Sequence, residues 1–233
     1  MGLLLAPAVA QAARVTPMVL VLDETGRGAT GRIEVANTGD EPVPFEVLMF
    51  RGEITEEGEL SLEPADEDFL VFPPQVVIEP LRQQIFRIQY IGEDPLETSE
   101  IFYASIREVP VARERTGVNL QIVSTFNVLI NVVPEGAEPE PSHTVLGVED
   151  REGQPGIIVR VANTGSRFIA AGRLNWSIEG RTGTGNTYER QYRSAEIGSV
   201  IGYGVVPAGG ARRFFIPTPE LLEAETLRVE IGS

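Results

Sequence analysis

Hydrophobic and polar residues alternate along much of this chain, and the longest regular alternation covers residues 118–134. One face of this stretch carries the apolar side chains Leu120, Ile122, Phe126, Val128, Ile130 and Val132. The other face carries Asn119, Gln121, Thr125, Asn127 and Asn131. Only an extended chain sends successive side chains to opposite sides, so the pattern predicts a half-buried β-strand and not a helix. At roughly 3.3 Å per residue this strand would reach about 50 Å, longer than an ordinary strand of about 3–10 residues.

Two interpretations of this long strand are open. At the edge of a sheet, it would offer unpaired backbone groups and a row of apolar side chains to another polypeptide. Alternatively, it is simply the last strand of a β-domain and completes that domain's own sheet.

Shorter alternating segments precede the long strand. They cover residues 14–16, 19–22, 30–35, 45–50, 69–72, 84–91 and 101–109. Residues 60–68 are acidic and are predicted to form a loop, and no segment before residue 134 has convincing helical periodicity. The chain also has 24 Gly and 17 Pro residues, which favour many turns. About seven or eight short strands separated by turns predict an all-β fold of the immunoglobulin-like sandwich type.

The pattern then starts again in the second half of the chain. Residues 135–142 are charged and proline-rich, which is typical of a domain boundary. Beyond them, residues 161–165 repeat the Val-Ala-Asn-Thr-Gly sequence of residues 35–39, and Pro80 and Pro207 follow the two copies at nearly the same spacing. This internal repeat predicts two sandwiches in tandem. The predicted domain boundaries are 1–13 for a signal-peptide remnant, 14–134 for the first domain, 135–141 for a linker and 142–233 for the second domain, with one helical turn at 219–225.

Charge and the N-terminus narrow the cellular context. Asp and Glu outnumber Lys and Arg by 34 to 19, for a net charge of −15, which disfavours binding to nucleic acid or to anionic lipid. Residues 3–12 form a short apolar run that closes on Ala10-Gln11-Ala12, a pattern typical of signal-peptidase cleavage. The run is too short to span a bilayer. We therefore expect export to the periplasm without membrane insertion.

Candidate catalytic and metal-binding chemistry is sparse. The chain has no Cys, and its single histidine, His143, falls at the end of the predicted linker, where we expect a solvated residue. There is no G-x-S-x-G sequence to supply a nucleophile elbow. The acidic residues of 63–68 lack the ligand spacing of a calcium loop, which favours a solvated loop. The sequence thus predicts no catalytic residue, no metal site and no cofactor, and a protein that is not an enzyme.

Several segments together resemble the PapD-like periplasmic chaperones of pilus assembly. Residues 101–110, I-F-Y-A-S-I-R-E-V-P, are similar to a run typical of that family, and residues 118–122 follow it as its long strand does. Shorter matches lie at residues 35–37, 72–74 and 79–80. The resemblance is clear over most of residues 14–134 and weak in the second domain, and the short segment between Pro110 and Gly117 resembles the short-loop type.

The resemblance implies two sandwiches in a boomerang arrangement. It also implies that the long strand completes a pilin-like subunit that lacks one strand, before delivery to an outer-membrane usher. The donor side chains, carried over by position, are Leu120, Ile122, Ser124, Phe126 and Val128.

The same family grips the terminal carboxylate of a subunit with two basic residues. The candidate on the first strand is Arg14, whereas Leu129 stands where the family has a Lys. Arg87 and Arg107, on neighbouring strands, are the candidate substitutes. Ser99 and Val133 likewise stand at two positions where the family has an ion pair.

Two other functions compete with this one. A structural or adhesive two-domain surface protein would use the long strand within its own sheet. A carbohydrate-binding or enzyme-accessory sandwich is disfavoured, because the single Trp176 and the five Tyr residues form no obvious stacking platform.

Overall fold

The computed structural model describes residues 13–93, 95–110 and 123–232, and β-strands dominate them, which confirms the predicted all-β class. The packing of the chain divides it into two compact units. The first consists of the described residues up to Arg51, together with Leu62–Pro95 and Ile101–Val132. The second consists of Gly52–Ser61, Leu96–Glu100 and the chain from Val133 onward. Two short pieces from the first half of the sequence therefore belong to the second unit, an arrangement that consecutive domain boundaries do not anticipate.

Two sheets build the first unit. Their strands are β1 (Ala13–Thr16), β2 (Val19–Asp23), β3 (Thr30–Asn37), β4 (Val43–Ile54), β5 (Leu60–Pro64), β6 (Phe69–Phe72), β7 (Gln75–Ile78), β8 (Gln83–Tyr90), β9 (Glu100–Glu108) and β10 (Thr125–Val133). One sheet has the order β1-β3-β8-β6, and the other has the order β2-β10-β9-β4-β5, with β7 paired to β4. β5 lies within the segment that we predicted as a loop. All five of its side chains are exposed, so it has no buried face to produce a hydrophobic alternation.

Alternation along these strands places one side of each sheet in the core. Val15 lies opposite Val35 in the β1–β3 pair, and both side chains are buried. Three aromatic rings pack edge to face or tilted in the same core: Phe69 lies 5.4 Å from Tyr90 and 4.9 Å from Phe102, measured between ring centroids. Such aromatic pairs add about 0.5–1.5 kcal/mol beyond the area they bury.

The second unit has three further sheets. Its strands are β11 (Pro141–Arg151), β12 (Gln154–Asn163), β13 (Ile169–Ala170), β14 (Asn175–Arg181), β15 (Thr187–Tyr192), β16 (Val205–Val206), β17 (Ala211–Pro217) and β18 (Arg228–Gly232). The sheet orders are β11-β12-β17, β15-β14-β18 and β13-β16. Trp176, fully buried at the centre of this core, meets the Phe214 ring at 90° with the centroids 6.1 Å apart.

Two local predictions for the second unit are wrong. His143 lies on β11 instead of in a linker, although it is exposed, as expected of a solvated residue. Its Nε2 is 2.7 Å from the carbonyl oxygen of Val229. The one α-helix of the described residues is α1 (Ser194–Ile201), whereas segment 219–225 contributes just the start of a short 3-10 turn, Ala224–Thr226. The α1 segment contains Gly198 and β-branched Val200, which are poor helix formers, so its propensity is weak. No helix within the described ranges is both long and apolar enough to cross a bilayer.

The repeated Val-Ala-Asn-Thr-Gly segments have the same role in both units. The buried Asn37 side chain donates from Nδ2 to the carbonyl oxygens of Glu41 and Ile78, and its Oδ1 accepts the amide of Gly39. Asn163 repeats this pattern in the second unit. Its Nδ2 donates to the carbonyl oxygens of Arg167 and Pro207, and its Oδ1 accepts the amide of Gly165. The sequence repeat therefore marks a repeated hydrogen-bonded turn.

Candidate functional site

The long strand predicted from sequence begins outside the described residues, so Leu120 and Ile122 have no description here. Its described part is Val123, Ser124 and β10, which lies between β9 and β2 in its sheet. On the β9 side, the amide of Glu108 donates to the carbonyl oxygen of Ser124 over 3.0 Å. On the β2 side, the amide of Leu129 donates to the carbonyl oxygen of Met18, also over 3.0 Å.

These two hydrogen bonds identify which backbone groups of the strand point to which side. In an extended strand, successive residues direct their N–H and C=O groups to opposite sides. Because Ser124 bonds towards β9 and Leu129 bonds towards β2, the residues Val123, Thr125 and Asn127 also point to the β2 side.

β2 itself does not cover those three residues. β1 and β2 run in the same direction: β1 ends with Thr16 opposite Glu34, and Leu22 lies further along β3, beside Gly31. A tight turn reverses the chain between β3 and β4, so β4 runs in the same direction as β1 and β2. β9 is antiparallel to β4 and so runs in the opposite direction. β10 starts beside the end of β9, so it is antiparallel to β9 and runs in the direction of β1, β2 and β4. Consequently, β2 proceeds from Met18 away from Ser124.

The edge of the strand is therefore open at Val123, Thr125 and Asn127 as far as the described chain is concerned. β1, which precedes Met18, cannot close it, because β1 pairs with β3 in the other sheet. We call Val123–Asn127 the open edge. It contains no charged residue, no Gly and no Pro.

The side chains change from exposed to buried along this strand. Val123 is 41% exposed, Thr125 and Asn127 are exposed, and Ser124 and Phe126 are half-buried. Val128 is fully buried and belongs to the core of the first unit, unlike the other two described donor candidates, Ser124 and Phe126.

The three candidate arginines lie on three strands of two different sheets. Arg14 on β1 lies opposite Ala36, and Arg87 on β8 lies opposite Arg32, both in the sheet that does not contain β10. Arg107 on β9 belongs to the other sheet, where its Nε is 2.7 Å from Oε1 of Glu46. An ion pair already satisfies Arg107, and the carboxylate anchor formed by these arginines stays a prediction.

Met18 was missed by the sequence analysis. Its carbonyl oxygen closes the β2 side of β10 at Leu129, whose side chain is buried. Pro17 could have indicated this position from the sequence, because a residue without an N–H interrupts a strand. In the structure, the chain passes from one sheet to the other at Pro17, between β1 and β2. Ser99 was noted only as a departure from the family's ion pair. It accepts the amide of Phe168 at its Oγ over 2.7 Å, a neutral contact within the second unit.

The acidic segment at 63–68 has structural partners. Oδ1 of Asp66 accepts the amide of Met49 over 3.0 Å, and Asp68 pairs with Arg51 over 3.1 Å. Across the part of the chain that the structure describes, no three His, Cys, Asp or Glu side chains are grouped as metal ligands.

One family model and several solved structures are similar to this chain. The family model described as "Pili and flagellar-assembly chaperone, PapD N-terminal domain" matches residues 13–137. No curated protein matches the chain.

Solved structures share the fold over nearly the whole chain. The class 5 fimbriae chaperone CfaA is 13% identical, with a TM-score of 0.55 over 95% of this chain and 99% of its own. The Escherichia coli chaperone DraB is 13% identical, with a TM-score of 0.54 over 96% of both chains. The Salmonella enterica chaperone SafB, solved in complex with the SafA pilin, is 14% identical, with a TM-score of 0.54 over 96% of this chain and 98% of its own.

Proposed function

The chain belongs to the family of pili and flagellar-assembly chaperones, and from this premise we propose that it captures pilin-like subunits by pairing a strand of the subunit with the open edge of β10. The captured subunit then passes to an outer-membrane usher, and the chaperone works in the periplasm. The N-terminal run that ends at Ala12 supports export, and the family assignment supports the role in assembly.

The observation that carries this proposal is that β10 has a neighbour on its β2 side from Leu129 onward, and none in the described chain before it. Before that residue, Val123, Thr125 and Asn127 present their backbone groups to the β2 side without a partner strand in the described chain. An incoming extended segment can pair with them as an added strand. Each new backbone hydrogen bond contributes about 1 kcal/mol net, so the ladder sets the register, while apolar side chains supply much of the affinity.

Two other edge strands, β15 and β11, carry features that hinder such pairing. On β15, Arg190 lies opposite the buried Ile178, and its guanidinium carbon is 5.0 Å from the Tyr192 ring centroid. An exposed charge therefore lies on the core-side face at that edge. β11 is interrupted by a register shift between Val145 and Gly147. Inward charges and bulges protect edges from unwanted pairing. The open edge of β10 has neither device, which is consistent with a surface meant to be paired.

A backbone substitution tests the proposal directly. In Thr125→Pro, the lost N–H points to the open side and takes no bond from the protein's own sheet, so the free energy of unfolding changes by about 1 kcal/mol or less. Binding of a pilin-like subunit from the same genome, measured by co-purification and by titration calorimetry, weakens by about tenfold or more, because a bond is lost and the ring obstructs the added strand.

Thr125→Val is the matched control, because it changes the side chain and keeps the N–H. Equal capture by the Pro and Val variants rules out pairing at this edge. It would favour the alternative of a structural or adhesive surface protein whose strand serves its own sheet.

A further inference from the structure

A second polar feature lies in the second unit, apart from β10. Arg167 and Arg173 each stack over an aromatic ring: the Arg167 guanidinium carbon is 5.8 Å from the Phe168 centroid, and that of Arg173 is 5.7 Å from the Tyr203 centroid. The two rings are neighbours, with their centroids 6.5 Å apart. We call Arg167, Arg173 and Tyr203 the arginine–tyrosine cluster.

Backbone hydrogen bonds join the two segments that carry Tyr203 and Arg173. Gly202 and Gly204, on either side of Tyr203, have φ angles of +69° and +65°, which favour glycine. The carbonyl oxygens of Tyr203 and Gly204 accept the amides of Gly172 and Ala171 over 3.1 and 2.9 Å. Tyr203 and Arg173 are therefore presented by two segments that are bonded to each other.

The cluster concentrates positive charge in an acidic protein. Neither Arg167 nor Arg173 forms an ion pair within the described residues. Their guanidinium groups lie over two neighbouring rings, Arg167 over Phe168 and Arg173 over Tyr203. The carbonyl oxygen of Glu138 accepts the Arg167 amide, yet the Glu138 carboxylate pairs with neither arginine in the described chain. Burial raises the pKa of Tyr203, and the charges of Arg173 and Arg167 oppose that rise. The hydroxyl therefore remains a proton donor at neutral pH.

We propose that the arginine–tyrosine cluster is an oxyanion-binding site that takes a carboxylate or a phosphate. Two guanidinium groups and one hydroxyl offer donors and no strong competing acceptor, and guanidinium edges match the paired oxygens of either anion. Within the described residues neither guanidinium group donates a hydrogen bond, so the N–H donors of both are available to a ligand. The site is independent of strand pairing at β10. The anion comes either from an acidic polypeptide or from free phosphate.

The single tryptophan provides a reporter for this site. The Nε1 of Trp176 donates to the carbonyl oxygen of Ala171 over 3.0 Å, and the Ala171 amide bonds to Gly204 beside Tyr203. The indole N–H of the full chain therefore gives one NMR cross-peak that is linked to the cluster by two hydrogen bonds.

The experiment follows this cross-peak at constant ionic strength. The probes are the capped peptide acetyl-Gly-Glu-Gly-amide, its Gln analogue and inorganic phosphate. A saturable shift with the Glu peptide but not with the Gln peptide supports a polypeptide carboxylate, and a saturable shift with phosphate alone supports a free phosphate. No saturable shift with any probe overturns the site.

Variants separate a specific site from net charge. Arg167→Gln and Arg173→Gln should each weaken binding by at least about tenfold, and Tyr203→Phe by about three- to tenfold, because charge-assisted hydrogen bonds are lost. Arg228→Gln, at an exposed position of the same unit, removes the same charge and should change binding by less than about twofold. Equal losses in Arg228→Gln and Arg173→Gln overturn the proposal, because net charge alone then explains the shift.

Discussion

Substitutions at two residues of β10, Phe126 and Val128, should affect subunit affinity and the stability of the chaperone separately. Phe126 is half-buried and lies within the open edge, whereas Val128, two residues later on the same face, is fully buried. We therefore expect Phe126→Ala to weaken capture of a subunit and Val128→Ala to weaken the fold.

The magnitudes follow from burial. A Phe side chain contributes about 1.5–3 kcal/mol when fully buried, and Phe126 has about half of that burial still to gain, or about 1 kcal/mol. The dissociation constant for the subunit should then rise about fivefold. Truncation of Val128 removes two buried methyl groups and leaves a small cavity, which should lower the free energy of unfolding by about 2 kcal/mol.

Calorimetric titration with a pilin-like subunit gives the affinity, and denaturant unfolding of the free protein gives the stability. Val128→Ala should keep an affinity within about twofold of the parent protein. Subunit binding by Phe126→Ala as tight as that of the parent protein, together with lost affinity in Val128→Ala, would refute this expectation, because a side chain in the protein's own core would then decide the affinity.

Further predictions concern the repeated turns of the two units and, in the second unit, an ion pair and an edge strand. The Asn163 carboxamide makes hydrogen bonds to backbone groups of four residues: Arg167, Pro207, Gly165 and Glu140. Asn163→Ala should therefore lower the free energy of unfolding by about 2–4 kcal/mol, and Asn37→Ala should have an effect of similar size. Losses under about 1 kcal/mol would contradict the structural role of these two turns. A hydrogen bond from Arg213, joined by Arg160, holds the pKa of Glu56 below its usual 4.5 against the opposing effect of desolvation, so its stabilisation is present above that value and is lost as the pH falls through the lower folded-state value. Glu56→Gln should therefore flatten the acid limb of a plot of stability against pH, and Glu57→Gln, with one 3.5 Å contact to Arg213, should leave it steep. Arg190→Thr should remove the inward charge from β15 and increase self-association, measured by light scattering; unchanged scattering would show that the charge does not guard this edge.

The sequence by itself determined the class of the fold and much of its layout. Period-two alternation identified the strands that have one buried face, including β3, β8 and β9, because burial of alternate side chains leaves a direct record in residue order. The repeated Asn-Thr-Gly segments revealed two equivalent turns. β5 and α1 escaped prediction because one has no buried face and the other has weak helix propensity.

The candidate site depended more on tertiary structure. The alternation in residues 118–134 identified the strand, but an edge is a property of neighbours, and no pattern within one strand shows what lies beside it. The position of Met18 against Leu129 decides where β10 is covered and where it is open. Likewise, the sequence showed that Val128 is apolar, and only packing decided that its side chain belongs to the protein's own core. Packing also decides the partners of arginines: it pairs Arg107 with Glu46 and places Arg167 and Arg173 over the neighbouring rings of Phe168 and Tyr203.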